Sequence, residues 1–395
     1  MREVLIVAAR RTPFGRFGGA LRDLNAARLG GMAMRAALEQ VGAAPSVVEM
    51  VILGNCMGAA TLGQVPARQA AFHAGLPHHV PCLLVEQACT SGLWAVALAA
   101  RLIGWGEVDV AVAGGMESMS NVPYVLPGAR WGYRLGHGAL TDALTCALTC
   151  PITGVHMGIY AGEVAMEYGI GREAQDRWAL RSQQRYAAAL AAGKFRDEVT
   201  PVEVPSRNGV LRVDRDEQPR PDTTLEKLAA LLPAFDPRGT VTAGNAPGLN
   251  DGAAALVLAA AEQARALSWE PLARVVGWGQ AAALPREINT VPAMAAEAAL
   301  RNTGLAREDI ALWEINEAFA AVTLTAMQQL GVDPERVNVN GGSVALGHPV
   351  GATGARLLTT LIYELRRRGG GLGLATLCGA GSHGKAVIVE AFPPE

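Results

Sequence analysis

Three short turns carry the side chains that could do nucleophilic and proton-transfer chemistry. Cys89 lies in Gln-Ala-Cys-Thr-Ser-Gly (87–92), His348 in Ala-Leu-Gly-His-Pro (345–349) and Cys378 in Leu-Cys-Gly-Ala-Gly (377–381). Cys89 and His348 each follow a strand-like apolar run and precede a helix-like one. Backbone N–H groups and the helix dipole favour a thiolate or a bound anion at such a place. One thiol placed to attack and a second placed to move a proton indicate carbon–carbon bond chemistry on a thioester.

Length, composition and charge narrow the class of protein. The chain has 395 residues, more than one ordinary domain, so two domains or one large double-layered unit is expected. Half of the residues are hydrophobic and 46 are glycine, which predicts a large core with many tight turns. The formal net charge of −2 gives no basis for nucleic-acid binding.

Cysteine usage and the apolar runs bear on location and on metals. A first strand is predicted at 4–7, so no charged-then-apolar leader precedes it. Apolar runs are broken by glycine or charge before about 18 residues, which predicts no membrane span. Six cysteines without such a leader favour free thiols in a reducing cytoplasm. Cys146, Cys150 and His156 lack a second ligand pair at zinc spacing, so no metal is expected.

One pattern of strands and helices is written twice along the chain. A strand at 51–55 is followed 34 positions later by Cys89, and a strand at 312–316 is followed 32 positions later by His348. Alternation of this kind predicts an α/β fold with a mostly parallel sheet, and the repeat predicts two pseudo-symmetric halves. The remaining pairs of predicted elements are helices 93–103 and 352–366, strands 108–113 and 372–377, and closing strands 254–258 and 386–389.

The two halves differ between their last two strands. The second half has only a tight turn there, whereas the first half carries an insertion with an amphipathic helix at about 173–192. Such a large loop beside a rigid scaffold is where substrate recognition usually lies. The predicted domains are a first half at 1–116 plus 251–270, an inserted loop domain at 117–250 and a second half at 271–395.

Taken together, these motifs resemble the thiolase family over nearly the whole chain, most closely its short-chain acetyl-CoA acetyltransferase group. Further markers are Arg-Thr-Pro-Phe-Gly (11–15), Gly-Gly-Met-Glu-Ser-Met-Ser (114–120), Arg-Pro-Asp-Thr-Thr (220–224), Thr-Ala-Gly-Asn (242–245), Asn-Asp-Gly-Ala (250–253), Asn-Glu-Ala-Phe (316–319) and Gly-Ala-Thr-Gly (351–354). Any one of them alone is weak, but their shared order is specific.

The resemblance implies a five-layered αβαβα core, a homodimer or a homotetramer built as a dimer of dimers, and acyl-CoA and CoA as substrates without a further cofactor. Cys89 would be the acylated nucleophile and His348 its activating base. Cys378 would exchange a proton with the α-carbon of the second acyl-CoA. Asn316 would orient a water that, with His348, stabilises the thioester enolate. The implied reaction joins two acetyl-CoA to acetoacetyl-CoA and CoA, or runs in reverse, through acetyl-Cys89.

The resemblance also implies a set of substrate-binding residues. These are His156 and Met157, which match a short-chain motif beside the acyl group, Arg220 on the adenine side of CoA, Ala243 and Phe319. Three departures bear on CoA affinity and acyl-chain length. They are Glu-Gln-Ala before Cys89 in place of Asn-Arg-x, Pro247 where the family commonly has serine, and a final turn at 379–384 with less glycine.

Several alternatives stay open on the residues alone. Cys56 and Cys82 are interpreted as small core hydrophobes, and Asn316 could also be a helix N-cap. Rival functions are a broad-range 3-ketoacyl-CoA thiolase of β-oxidation, a ketoacyl synthase of the same fold, and a non-catalytic acyl-CoA or lipid-carrier protein. Cys378 and the Asn-Glu-Ala-Phe segment favour a thiolase over a synthase. A carrier would be expected to lack one of the three reactive side chains.

Overall fold

A computed structural model describes residues 1–58, 62–206 and 209–394. The longer strands are β1 Val4–Arg11, β2 Met50–Gly54, β3 Cys82–Val85, β4 Val110–Ser118, β5 Val202–Ser206, β6 Gly209–Val213, β7 Asn250–Ala260, β8 Ala273–Ala282, β9 Leu312–Ile315, β10 Gly371–Gly379 and β11 His383–Ala391. The helices are α1 Ala26–Gln40, α2 Pro66–Ala74, α3 Ser91–Trp105, α4 Ala143–Ala147, α5 Met157–Glu167, α6 Arg172–Ala191, α7 Leu225–Ala229, α8 Ala261–Ala266, α9 Val291–Thr303, α10 Ala320–Leu330, α11 Ser343–Leu346 and α12 Val350–Arg367.

The main sheet consists of two similar halves that meet at a narrow seam. Its strand order is β9-β10-β11-β8-β1-β7-β4-β2-β3, and the two-residue strand Gly15–Arg16 pairs with β7. Across the seam, β1 and β8 pair only through Leu5 with Arg274 and Ile6 with Ala273. The first half is therefore β3-β2-β4-β7-β1, and the second is β9-β10-β11-β8. This agrees with the repeat predicted from the sequence.

The expectation of a mostly parallel sheet is wrong. Parallel pairing is confined to β2 with β3, β2 with β4, and β9 with β10 among the described strands. The closing strand of each half runs antiparallel to its neighbours, as β10 and β11 do across the turn that joins them. An antiparallel pair can be joined by a tight turn, whereas a parallel pair needs a long crossover. The short link between β10 and β11 therefore requires the antiparallel arrangement.

Helices and sheet halves stack in five layers. Helices α3 and α12 lie between the two sheet halves, because one core cluster joins both helices to Leu256 of β7 and Val387 of β11. A second cluster packs α1 and α2 on the outer face of the first half, and a third packs α9 and α10 on the outer face of the second. Burial of apolar surface on every face stabilises such layers. The αβαβα core expected from the resemblance is present.

The segment between β4 and β7 leaves the sheet and returns to it. It contains α4 to α7 and the hairpin of β5 and β6, and its longest helix, α6, matches the amphipathic helix expected at 173–192. Val202 and Val204 of β5 pack into the cluster beneath α1. The insertion therefore packs on the first half through its hairpin, and on the second half through α5 and α6, whose Met157 and Trp178 join clusters with residues of that half. Because β4 runs to Ser118 and β7 begins at Asn250, the sheet reaches slightly into the predicted loop domain.

One helix segment has the composition of a membrane span. The window Ala88–Trp105 has 18 residues and a mean hydropathy of 1.3, so the expectation that every apolar run is too short is wrong. Within the fold, 67% of this window is buried. It overlaps α3, which lies in the central layer, and a core helix needs apolar residues on all its faces.

Candidate active site

The turns that carry Cys89 and His348 come together because two helices start side by side. Helix α3 begins two residues after Cys89, and α12 begins two residues after His348. A Cβ atom added to Gly92 would lie 2.6 Å from the carbonyl oxygen of Gly351, too close for any other residue. Glycine at this crossing lets the two backbones touch. The two halves of the molecule therefore present their reactive residues at one place.

The turn before α3 is strained and held by its own polar side chains. Ala88 has φ of +48°, which is uncommon for a residue other than glycine. The Gln87 N–H donates to Ser91 Oγ (2.8 Å), and the Ser91 hydroxyl donates to the Ala88 carbonyl (2.7 Å). The Thr90 hydroxyl donates to the Gln87 carbonyl (2.7 Å). These bonds fix the backbone that carries Cys89 and offset the cost of the strain.

The thiol of Cys89 is protonated at rest. Burial raises its pKa to about 12, and the Glu117 and Glu86 carboxylates add to the rise, while its own backbone N–H lowers it by less. The expectation that the helix start holds this residue as a thiolate is therefore wrong. Desolvation outweighs the helix here because a partly buried thiolate gives up much of its hydration. Cys89 needs a base before it can attack.

His348 is a buried, neutral base. Its backbone N–H donates to Asn250 Oδ1 (2.9 Å), and its Nδ1 lies 2.7 Å from Thr353 Oγ1. The Thr353 hydroxyl donates to the Pro349 carbonyl (2.9 Å), so its oxygen accepts from Nδ1–H and the lone pair of the imidazole is on Nε2. Burial, with a smaller contribution from Arg356, lowers the pKa of His348 to about 3. Nε2 has no hydrogen-bond partner.

Cys378 is the next-to-last residue of β10 and is buried. Burial raises its pKa well above the ordinary value, and the charge of a Cys89 thiolate raises it further. The two thiols are therefore within electrostatic reach of each other. At rest Cys378 is a thiol, able to give a proton before it takes one.

Asn316 follows β9 directly and is held at both its backbone and its side chain. Its N–H donates to the Thr376 carbonyl (3.0 Å), and its Oδ1 accepts from the Ser343 hydroxyl (2.7 Å). Its Nδ2 is buried and has no partner. Buried polar atoms are nearly always hydrogen-bonded. The unpaired Nδ2 donor and the unpaired Nε2 acceptor of His348 are thus free to bind water or a ligand.

Three of the predicted substrate-binding residues gather around Cys378. Met157 and Phe319 belong to one buried cluster with it. His156 joins them through Phe235, whose ring stacks on His156 at 4.0 Å between centroids and meets Phe319 edge-on at 6.1 Å. These side chains form an apolar wall beside the second thiol. Sequence reasoning missed Phe235, since nothing in its spacing distinguishes it within the insertion.

Arg220 and Ala243 form a separate pair at the surface. Both are exposed, and Arg220 Nη1 donates to the Ala243 carbonyl (3.2 Å). The Arg220 backbone N–H donates to Gln183 of α6 (2.8 Å), which fixes this corner of the insertion. An exposed guanidinium fits a negatively charged part of a substrate. These two residues are therefore exposed, whereas Met157 and Phe319 beside Cys378 are buried.

Two further residues support the nucleophile turn and were missed from the sequence. Cys56, expected to be a core hydrophobe, donates from Sγ to the Ala88 carbonyl (2.9 Å). Its backbone N–H and that of Gly351 each donate to Glu117 (3.0 Å). Burial raises the pKa of Glu117 to about 7. This buried acid, visible in the sequence only as part of a motif, links the turn of one half to the central helix of the other.

One hydrogen bond joins the turn that carries Cys89 to the hairpin that carries Cys378. His383, at the start of β11, donates from Nε2 to the Gln87 carbonyl (3.1 Å). The final hairpin, which carries Cys378, thereby holds the turn that carries Cys89.

Over the part of the chain that the structure describes, no group of three His, Cys, Asp or Glu side chains is arranged to hold a metal.

Known proteins match the whole chain. The model of the thiolase N-terminal domain matches residues 4–262, and that of the thiolase C-terminal domain matches residues 269–391. Acetyl-CoA acetyltransferases of Chromobacterium violaceum and Pseudomonas aeruginosa are each 49% identical, with 98% of this chain and 99% of theirs aligned. The solved acetyl-CoA acetyltransferase of Bacillus anthracis has a TM-score of 0.96 at 43% identity, and human mitochondrial 3-ketoacyl-CoA thiolase has 0.96 at 40%, each covering 99% of both chains.

Proposed function

The chain belongs to the thiolase family, and from that premise we propose that it is an acetyl-CoA C-acetyltransferase working through acetyl-Cys89. It is an acyltransferase enzyme, so a non-catalytic carrier role is not supported. The residue assignment rests on two thiols within electrostatic reach of each other, and on a neutral imidazole with an unpaired Nε2 at the helix start that touches the start of α3. Nucleophile, base and proton carrier are the groups that a ping-pong transfer of an acetyl group requires.

In the first half-reaction, His348 Nε2 takes the proton of the Cys89 thiol. The thiolate attacks the thioester carbonyl of acetyl-CoA, a carbon–sulfur bond forms, and the bond to CoA breaks. Cys378, which its raised pKa keeps protonated at rest, gives its proton to the departing CoA sulfur. Acetyl-Cys89, an imidazolium and a Cys378 thiolate remain.

In the second half-reaction, the Cys378 thiolate takes an α-proton from a second acetyl-CoA. Asn316 Nδ2, through a bound water, and His348 stabilise the enolate oxygen by donating hydrogen bonds. The enolate carbon attacks the acetyl carbonyl of Cys89, forming acetoacetyl-CoA. The Cys89 sulfur leaves and recovers the proton from His348, so the three groups return to their resting states.

The broad-range alternative is not favoured, because the relatives that are 49% identical are named acetyl-CoA acetyltransferases. The wall beside Cys378 supports a short acyl group. Phe235 stacks on His156 and meets Phe319 edge-on there, and Met157 packs in the same cluster as Phe319. A longer chain would have to displace these packed rings, which costs free energy.

Homo-oligomer formation is supported by two exposed apolar features. Strand β3 is the outer strand of the sheet and exposes Leu83. The arm at 124–140 exposes seven large apolar side chains, with Trp131 at 88% and Leu135 at 96% exposure. Contiguous exposed apolar surface usually marks an interface. We propose a homodimer or a homotetramer. Light scattering after size exclusion measures which of the two forms. The six free thiols support a location in a reducing cytoplasm.

The test follows both the reaction and the intermediate. Acetoacetyl-CoA and CoA should be consumed together, seen as loss of the absorbance of the Mg²⁺-enolate. After brief exposure to acetoacetyl-CoA, mass spectrometry should find an acetyl group on the Cys89 peptide. Cys82→Ser is the matched control, because Cys82 is a half-buried cysteine of the same half. An adduct confined to Cys56 or Cys82 would rule out Cys89 as the carrier.

A further inference from the structure

The side-chain amide of Asn316 could present either of two ends to the active site. One end is an acceptor, Oδ1, and the other carries two donors on Nδ2. In the structure, Oδ1 faces Ser343 and accepts its hydroxyl at 2.7 Å, whereas Nδ2 is buried and unpaired. Hydrogen-bond partners decide which end of an amide points where. The other partner of Ser343 therefore decides which end of the Asn316 amide faces the serine.

Ser343 receives a hydrogen bond that fixes the direction of its own. Arg356 Nη2 donates to Ser343 Oγ (2.8 Å), and a guanidinium can only donate. The serine oxygen must accept from Arg356, so its single hydrogen is available for Asn316 Oδ1. With the amide reversed, donors of Arg356 and Asn316 would share one oxygen and the serine hydrogen would lose this acceptor. The chain of bonds has one favourable direction.

Arg356 is itself held in place on both sides. Its guanidinium is buried and pairs with Glu314 of β9 (Nη1 to Oε2, 3.2 Å), two residues before Asn316. Arg356 lies on α12 one turn after Thr353, which holds the ring of His348. A buried ion pair with further hydrogen bonds is costly to disturb. One helix thus orients both the base and, through Ser343, the amide.

We propose that Arg356 and Ser343 are positioning residues that turn the donor end of Asn316 toward the reacting acyl group. This inference rests on the proposed function. It explains why a hydrogen-bond donor, and not an acceptor, faces the enolate oxygen. Because the enolate oxygen is negative, a donor there stabilises it and an acceptor repels it. The relay therefore acts on the enolate step and not on acylation of Cys89.

The test separates the two half-reactions in Ser343→Ala. Exchange of α-deuterium from labelled acetyl-CoA should fall about tenfold or more, the cost of releasing one buried hydrogen-bonded group. Formation of acetyl-Cys89 should stay within about twofold of the wild-type rate. In an Asn316→Ala background, Ser343→Ala should cause no further loss of exchange, since the serine acts through the amide.

Two further variants serve as an alternative and as a control. Ser343→Cys conserves volume with a weaker donor and should show the same split if Ser343→Ala does not fold. Thr359→Val is the matched control, because this buried hydroxyl of α12 donates only within its own helix, to Ala355 (2.9 Å). Its two rates should stay near wild type.

Equal loss of both rates in the serine variant, or additive loss with Asn316→Ala, would overturn the relay while the proposed function stands. A wild-type enzyme that forms no acetyl-Cys89 would overturn both.

Discussion

The two halves place an asparagine and a reactive residue at matching positions, yet they use them differently. Asn55 follows β2 as Asn316 follows β9, and Cys89 precedes α3 as His348 precedes α12. Asn55 Nδ2 donates to the Met116 carbonyl (3.1 Å) and to Glu117 (2.6 Å). Asn316 Nδ2 donates to no group among the residues that the structure describes.

The difference shows how one framework serves two roles. Where a neighbouring acid occupies the amide donors, the asparagine ties the backbone together, as it does beneath Cys89. Where the donors are left open, the same side chain can act on a ligand. In the proposed mechanism the first half accordingly supplies the covalent carrier, and the second supplies the base, the proton carrier and the orienting amide. Pseudo-symmetry of the fold does not extend to the chemistry.

The largest effect expected from this division lies in the two cysteines. Cys89→Ala should remove the acetyl adduct and lower thiolysis at least about a thousandfold, as loss of a nucleophile does. Cys378→Ala should spare acylation of Cys89 more than exchange of the α-deuterium of acetyl-CoA. The adduct is measured by mass spectrometry and the exchange by NMR. Exchange at the wild-type rate in Cys378→Ala would end the assignment of proton transfer to the second half.

The asparagines give the next comparison. Asn316→Ala should lower kcat about a hundredfold, since one preorganised donor to the enolate is lost, with little change in the free energy of unfolding. Asn55→Ala should lower the free energy of unfolding by about 1–3 kcal/mol, because Glu117 loses a buried donor. Kinetics and urea unfolding of both variants decide the matter. The reverse pattern would mean that the two amides have been assigned to the wrong roles.

A smaller effect is expected in the pH dependence of the free energy of unfolding, to which His348 and Cys89 should contribute differently. The folded pKa of His348, about 3, lies below its unfolded value near 6.5. Between these values the unfolded chain binds the extra proton, so stability is lost as pH falls below about 6.5, by up to about 1.4 kcal/mol per pH unit.

In His348→Gln, the free energy of unfolding measured in urea should fall less steeply with decreasing pH than in the wild type. The matched control is His137→Gln, since His137 is exposed in the 124–140 arm, and it should keep the wild-type slope. An unchanged slope in His348→Gln would show that His348 is not buried in its neutral form. Cys89, with a pKa of about 12, should contribute no slope in the same range.

The smallest effect is expected at the surface pair of the insertion. Arg220→Gln should raise KM for acetoacetyl-CoA about two- to fivefold and leave kcat unchanged, because an exposed contact made equally in ground and transition states affects binding alone. Steady-state kinetics test this, with Arg238→Gln, another exposed arginine of the insertion, as control. A fall in kcat would place Arg220 closer to the chemistry.

Local pattern predicted much of the fold and of the reactive set. The turn of Cys89 was recognisable because it combines a strand end with a helix start. His348 was expected to follow a strand-like run, but it follows the short helix Ser343–Leu346. The three predicted helices, at 93–103, about 173–192 and 352–366, lie within two residues of the observed bounds. The closing strands were predicted, but their antiparallel direction was not, since apolar runs carry no information on strand direction. Burial of Cys89 was missed for a similar reason: it depends on packing by Met119 and Val350, from distant parts of the chain.

The polar supports of the site were beyond the reach of sequence patterns. Ser343 and Arg356 act on Asn316 from 27 and 40 positions away, and the direction of their hydrogen bonds exists only in the assembled core. Phe235 likewise joins His156 to Phe319 only when the insertion folds back. Sequence patterns singled out the side chains that we propose to react, whereas tertiary contacts decide their protonation and orientation.

The raised pKa of Cys89 has a consequence during synthesis of the chain. About 260 residues separate Cys89 from His348, so at ribosomal speed the thiol waits roughly 10 to 50 seconds for its base. In an unfolded nascent chain its pKa is the ordinary value of about 8.5, which leaves a few per cent of thiolate at neutral pH. Electrophiles and oxidants in the cell would therefore react faster with the growing polypeptide than with the finished enzyme. Folding therefore protects the Cys89 thiol from these reagents until His348 is in place to deprotonate it.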